Sequence, residues 1–451
     1  MRRWALLAIA GGVLIVLPQL IIESTIHARV VSITGICLFL WLGEFVPPFV
    51  PTLLLWTLVP LFLAHIDNRY ALPTVMSWAV DPVMALFFGG FVLGVAAQRN
   101  GFDQRLTQFA LRSSGSSFKK FLLLVILITA FLSMWMSNIA AAALVLACLH
   151  PVIGKFEADH ILRRVVLVGV ALAADFGGIA TPIGTGPNAI AIASISPIQP
   201  VSFLSWMAFA LPLTIGMLAV TFLILVWRSR RYNANWGDGP VNTSSLFDRK
   251  VDQAQNKSTQ LAFLIVFVGT IVLWLAEPVH KIPASVVALG SAAFVFLSRI
   301  LTKEDLRKID WSTLLLIAGG ITLGRLLEQS ALVNDLASVV PFADLNPILS
   351  LFLLCLASAA LSALMSNTAT AVLLIPLASV FIRAPSTAIL IAVSASFGVP
   401  FLISTPPNAM VFGKGGVRFG DLFWPGIALM VLGCLLVSLT GKAALNFAGI
   451  P

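Results

Sequence analysis

Apolar runs of about 20 residues recur from one end of this sequence to the other, and a helix of that length spans the hydrocarbon core of a bilayer. The runs lack the short alternating pattern of barrel strands. Only 10% of the 451 residues are charged and 59% are hydrophobic, whereas a soluble domain keeps roughly a quarter of its residues charged. Water is therefore not the main solvent of this fold, and no soluble domain longer than a loop is expected. In a soluble chain the net charge of +9 would suggest nucleic acid. In a membrane chain it reads as Lys and Arg collected on cytoplasmic loops against anionic lipid, with no nucleic-acid partner. Cys37, Cys148, Cys355 and Cys434 all fall inside apolar runs and read as small core residues, not disulfides. Met1-Arg2-Arg3 precedes an apolar run with no convincing small-residue cleavage site before Glu23, which predicts a retained first helix.

Eleven spans are expected, at 4–22, 31–47, 49–65, 82–98, 165–195, 203–227, 259–277, 284–300, 311–328, 385–412 and 422–446. Two further apolar segments, 121–150 and 345–378, are too long for one helix and are interrupted midway by polar residues. Charge decides their course, because cytoplasmic loops are enriched in Lys and Arg. If both segments enter and turn back, and the N-terminus is inside, 22 of the 28 basic residues fall on one side; they cluster at 2–3, 99–120, 155–164, 228–257, 299–308 and 414–418. If both cross fully, only 11 of 28 do. The reading is an all-α polytopic membrane protein with 11 transmembrane helices and two re-entrant hairpins, its C-terminus outside.

The two halves also repeat. Gly89-Gly90 with Leu93-Gly94 is matched by Gly319-Gly320 with Leu323-Gly324. Ser137-Asn138, followed by an Ala-rich run, is matched by Ser366-Asn367. Ile183-Gly184-Thr185-Gly186-Pro187-Asn188 is matched by Ile403-Ser404-Thr405-Pro406-Pro407-Asn408. Small-residue strings are common in membrane helices, so one match means little; three in the same order mean much more. The charge-derived topology runs the Gly89 and Gly319 helices in opposite directions, so the repeats are inverted. Inverted repeats with interrupted helices in matching places point to a secondary transporter with a site near the membrane midplane.

A lone Ser or Asn at hydrocarbon depth is ordinary glue between helices. Here the pair recurs at the tip of both hairpins, and non-helical backbone at that depth survives only where protein or water satisfies it. The helix that starts at a tip turns free N–H groups and the positive end of its dipole to the cavity, which suits an anion. Carbonyls and side-chain oxygens just before it are hard ligands for a small cation such as Na⁺. Thr181-Pro182, Pro187-Asn188 and Pro406-Pro407-Asn408 break the helices after each hairpin, since proline removes a donor from the ladder.

These tips and breaks resemble the divalent anion:sodium symporter family, whose members carry dicarboxylates, citrate or sulfate, and the resemblance runs over nearly the whole chain. It implies scaffold and transport domains, a homodimer and an elevator motion. It implies a first sodium site from Ser133, Ser137, Asn138 and the Gly184 carbonyl. A second would use Ser362, Asn367 and the carbonyls of Met365 and Ser404. Substrate carboxylates would meet Ser137, Asn138, Thr185, Ser366, Asn367, Thr368 and Thr405. Divided this way, 1–112 and 259–340 are scaffold helices of the two repeats, 113–227 and 341–451 their transport parts, and 228–258 a cytoplasmic loop. The expected location is the cell inner membrane. One departure bears on substrate: Ile139 stands where the family pattern has Thr, and it replaces a hydroxyl contact by an apolar wall.

Some relatives are sodium-independent exchangers, so exchange is the second reading, and an arsenite or proton-linked antiporter of the same architecture is the third. An intramembrane enzyme is disfavoured, because HExxH, G-x-S-x-G and paired intramembrane carboxylates with a base are all absent from the sequence. Asp175 is the intramembrane charge nearest a motif, expected as a buried structural group with proton coupling as the rival role. Arg325, Glu44 and His150 read as scaffold or interfacial residues.

Overall fold

The computed structural model describes residues 2–43, 45–102, 105, 113–114, 117–154, 156–230, 257–332, 346–381 and 386–450. Glu44, Lys155 and most of the 228–258 loop lie outside them. Within them the chain is all helix, turn and loop. The first half contains α1 (Arg2–Ile21), α2 (Thr25–Leu42), α3 (Val50–Leu63), α4 (Leu72–Ala79), α5 (Pro82–Arg99), α6 (Phe118–Ser133), α7 (Asn138–Ile153), α8 (Ile161–Gly177), α9 (Gly186–Ile195) and α10 (Phe203–Ser229). The second contains α11 (Lys257–Leu275), α12 (Glu277–His280), α13 (Ala284–Leu297), α14 (Trp311–Gln329), α15 (Pro347–Ser362), α16 (Asn367–Phe381), α17 (Thr387–Ala395), α18 (Pro406–Gly413) and α19 (Phe419–Phe447).

Local sequence sets the starts of these helices. Asp81 caps α5 by accepting from Val83 N at 2.9 Å, with Pro82 as the first helical residue, where its missing N–H costs nothing. Asn346 and Pro347 do the same for α15, and Ser202 caps α10 through Ser205 N at 3.0 Å. Among the described residues, four helices have both the length and the apolar composition to cross a bilayer alone: Pro82–Arg99, Phe203–Ser229, Ser258–Leu275 and Phe419–Phe447. Other expected spans are not single long helices. α3 and α13 have 14 residues each, about 21 Å of rise. The expected spans 165–195 and 385–412 are each two helices around a break, α8 with α9 and α17 with α18. The short helix α4 was not expected; it begins at Leu72-Pro73, the proline again at the position that tolerates it.

The two long apolar segments form helical hairpins, α6–α7 and α15–α16, each turning through four residues, 134–137 and 363–366. The halves interlock. The helix after the first break, α9, packs on the second hairpin's α16 and on α17, while α18 packs on α7 and α8. The double glycines fit this arrangement: a Cβ on Gly89 would strike Ala288 of α13, and one on Gly319 would strike Thr52 of α3. Their neighbours face inward, Gly90 against Ile183 of the first break and Gly320 against Val372 and Ile190. The absence of side chains lets α5 and α14 approach an outer helix on one face and the broken segments on the other.

Two ion-pair clusters tie loop-proximal ends together. Asp421, at the start of α19, accepts from Arg164 at 2.8 Å and Arg228 at 2.6 Å, joining α8, α10 and α19. Asp305 pairs with Arg99 at the end of α5 and with Lys308 at 2.9 Å. Arg325 pairs with Glu328 at 3.1 Å, and His150 is exposed in the last turn of α7. Cys37, Cys355 and Cys434 are buried among core side chains.

Candidate substrate and cation site

Both hairpin tips are built alike. In the first, Ser137 caps α7, its Oγ accepting from Ala140 N at 3.3 Å. In the second, Ser366 Oγ accepts from Ala369 N at 3.1 Å. One turn earlier, Ser133 Oγ donates to Asn138 Oδ1 at 2.8 Å, and Ser362 Oγ donates to Asn367 Oδ1 at 2.6 Å. The serine thus holds the asparagine's oxygen in place at each helix start, where the first-turn amides have no intrahelical partner. Ser133 Oγ also lies 2.6 Å from the Ala174 carbonyl, so its single proton is shared between two acceptors.

The breaks follow a second shared rule. After the 3₁₀ turn Gly178–Ala180 the chain is extended at Thr181 and Thr185 before α9 begins. Asn188 folds back, its Nδ2 donating to the carbonyls of Gly178 at 3.0 Å and Thr181 at 2.8 Å. Asn408 does the same toward Val399 and Phe401 at 3.1 and 3.0 Å. Of these carbonyls, that of Gly178 loses its helical donor to Pro182 and the others lie where the helix has already broken; in each break the buried asparagine supplies the donor. Trp206 adds to the first break by donating its indole N–H to Ile179 O at 3.0 Å. Thr181 Oγ1 donates to Met134 O at 2.6 Å and fastens that break to the first tip.

Several of the expected cation ligands come together. An added Cβ on Gly178 would stand 2.5 Å from Asn138 Oδ1 and 3.0 Å from Gly184 O, so both oxygens converge on one glycine. Ser133 reaches the same asparagine, which gathers Ser133, Asn138 and Gly184 into one group; Ser137 beside them uses its Oγ in the cap. In the second half, Ser362 and Asn367 are bonded, and Gly398 packs on the Ser362 backbone. Met365 is buried in the turn, while Ser404 spends its hydroxyl inside the break, on Phe401 O at 2.9 Å.

The expected substrate residues divide into two groups. Ser137, Asn138, Thr185, Ser366, Asn367 and Thr368 are all half-buried, and none is charged. A Cβ on Gly186 would meet Thr368 Oγ1 at 2.3 Å, so Thr368 of one half sits directly on the first residue of α9, next to Thr185 of the other. Thr405, the match of Thr185, is only 2% exposed and donates to Asp175 Oδ2 at 2.8 Å. The halves are therefore unequal at this level: Gly186 and Thr368 at one entrance correspond to Pro406 and Ile139 at the other. Sequence reasoning marked Thr181 and Gly186 only as parts of the helix break, and it missed Gly178 and Trp206, whose contacts depend on which helix is adjacent.

The model of the citrate transporter family matches residues 13–386 and again 342–448 of this chain. An uncharacterized transporter of Haemophilus influenzae is 30% identical over 427 residues, covering 89% of this chain and 88% of the relative. The sodium-dependent dicarboxylate transporter SdcS of Staphylococcus saprophyticus is 25% identical over 475 residues, covering 95% and 90%. Among solved structures, the crystal structure of the Alcanivorax borkumensis YdaH transporter superposes with a TM-score of 0.61 at 15% identity, covering 90% of this chain and 100% of that one.

Proposed function

This chain belongs to the citrate transporter family, and from that membership we propose that it carries a small di- or polyvalent anion (a dicarboxylate, citrate or sulfate) together with Na⁺. It is a multi-pass membrane transporter and not an enzyme. One observation carries the finer reading: two matching Ser–Asn pairs hold neutral oxygen and nitrogen groups at two helix starts, and the half-buried residues around them bring no positive side chain to a divalent anion. Helix N-termini supply part of the compensation. A small cation held by the oxygens behind each tip supplies the rest. The relatives named as sodium-dependent dicarboxylate transporters support that choice of ion and substrate class.

In this reading Ser133, Ser137, Asn138 and Gly184 hold one Na⁺, and Ser362, Met365, Asn367 and Ser404 hold another. Ser137, Asn138, Thr185, Ser366, Asn367, Thr368 and Thr405 form the anion's surroundings, with Thr405 the residue that must leave Asp175 to reach it. The hairpins are re-entrant, the repeats inverted, and the transport parts 113–227 and 341–451 move as an elevator against scaffold helices in a homodimer. The N-terminus is cytoplasmic and the membrane is the inner one. Pairing of Arg164 and Arg228 with Asp421 supports that orientation, since it joins ends of α8, α10 and α19 that the charge count places on one side.

The experiment is uptake of labelled succinate, citrate and sulfate into proteoliposomes, with and without an inward Na⁺ gradient. Stimulation of at least one anion by Na⁺ is expected. If none responds to Na⁺ but one exchanges against internal anion, the symport reading fails and exchange replaces it.

A further inference from the structure

Three carboxylates are buried among the described residues: Asp175, Asp305 and Asp421. Asp305 and Asp421 each meet two cationic side chains. Asp175, 1% exposed, meets none. Its Oδ2 accepts from Thr405 Oγ1 at 2.8 Å, and its Oδ1 has no hydrogen-bond partner. It sits in the last turn of α8, where the negative end of the helix dipole opposes an anion. The nearest charges along α8 are Arg163 and Arg164 in its first turn, roughly 16 Å away by helical rise. A lone buried carboxylate in that position gains from either a proton or a cation beside it.

The surroundings say which partner. Ala174, the preceding residue, offers its carbonyl to Ser133 Oγ at 2.6 Å. Asn138 lies against the same carboxylate, short of a well-aligned bond. Gly178, on which Asn138 Oδ1 and the Gly184 carbonyl both converge, follows Asp175 directly after α8. The carboxylate, whose Oδ1 has no hydrogen-bond partner, is thus linked through Asn138 to the group Ser133, Asn138 and Gly184. In the second half the matching place is neutral. Gly177 packs on Ala130 as Gly398 packs on Ala359, which sets Asp175 opposite Ser396, a buried serine.

We propose that Asp175 Oδ1 completes the first cation site, so that this site carries a negative charge while the second stays neutral. The inference rests on the sodium reading above and deepens it. Its consequence is unequal affinity: the first site holds Na⁺ more tightly, fills without substrate, and screens the incoming anion from the carboxylate. The competing role for Asp175 is a strut, bonding Thr405 across the two halves.

Thermal unfolding of the purified, substrate-free protein, titrated with NaCl against choline chloride at constant ionic strength, separates the roles. The unmodified protein should gain stability with Na⁺. Asp175→Asn should need at least about tenfold more Na⁺ for half the effect, because charge count sets affinity at oxygen sites. Asp175→Ser, which copies the second half, should do likewise and serves if the Asn variant folds poorly. Thr405→Val removes the strut but keeps the charge, and should shift half-saturation by less than about threefold, whereas removing a charged ligand costs far more. An Asp175→Asn titration matching the unmodified protein, or an equal loss of Na⁺ response in Thr405→Val, overturns the inference while sodium binding stands. No Na⁺ response in the unmodified protein removes the sodium reading and this inference with it.

Discussion

At the scale of single residues, the two asparagines are the parts with fewest substitutes. Each is fixed by its serine and placed at a helix start, so its loss removes an acceptor, a donor and the order of the tip at once. Asn138→Ala and Asn367→Ala should each reduce uptake by about two orders of magnitude or more, the scale expected when positioning groups are lost, while the protein still elutes as a folded species. Near-normal rates in both would dismiss these residues as site components. Asn188 and Asn408 look similar in sequence but work differently. Both are fully buried and tied to the carbonyls of their own breaks, so they belong to the backbone's hydrogen-bond accounting.

Between elements, close approach of backbone decides what the site tolerates. A Cβ on Gly184 would stand 2.3 Å from the Gly178 carbonyl, which cannot move without unwinding the break. Gly184→Ala should therefore lower stability by roughly 1–3 kcal/mol, as overpacking does. A Cβ on Gly186 instead meets only side-chain atoms, Oγ1, Cγ2 and Cβ of Thr368 at 2.3, 2.8 and 3.1 Å, so Thr368 must be displaced as a whole. Gly186→Ala should cost less stability than Gly184→Ala, because no backbone atom is struck, and should raise the KM for the anion if Thr368 is a substrate residue as proposed. Melting curves and transport kinetics of the two variants check this contrast; an equal loss of stability in both, with normal KM in Gly186→Ala, would contradict it.

At the scale of the whole molecule, matched positions in the two halves differ in exposure. Trp135 at the first tip is 6% exposed, stacked with Phe203 and Trp274 of α10 and α11; its match Leu364 is 73% exposed. Ile183 in the first break is 3% exposed against Gly90, and its match Ile403 is 82% exposed. The transport cycle proposed above expects such inequality in one end state, with the second tip on the open side. Cysteines at Leu364 and Ile403 should react with a membrane-impermeant thiol reagent, while cysteines at Trp135 and Ile183 stay protected. Saturating Na⁺ and transported anion should slow the first pair. Equal labelling at all four positions would mean that the inequality is not a transport state.

The sequence by itself determined the solvent, the helical class and the two places where helices break. Those follow from local properties: apolar length, proline chemistry, and Ser-Asn recurring at hydrocarbon depth. It also marked Asp175 as unusual and Ile139 as unequal to Thr368. Only the tertiary structure decided what meets what. That α9 lies on the second hairpin and α18 on the first, that Thr405 reaches Asp175 across 230 positions, and that Gly178 gathers Asn138 with Gly184 are all consequences of helix packing. Packing depends on the shapes of faces brought together from distant parts of the chain. A one-dimensional pattern encodes which residues can face inward, but not which partner each will find there.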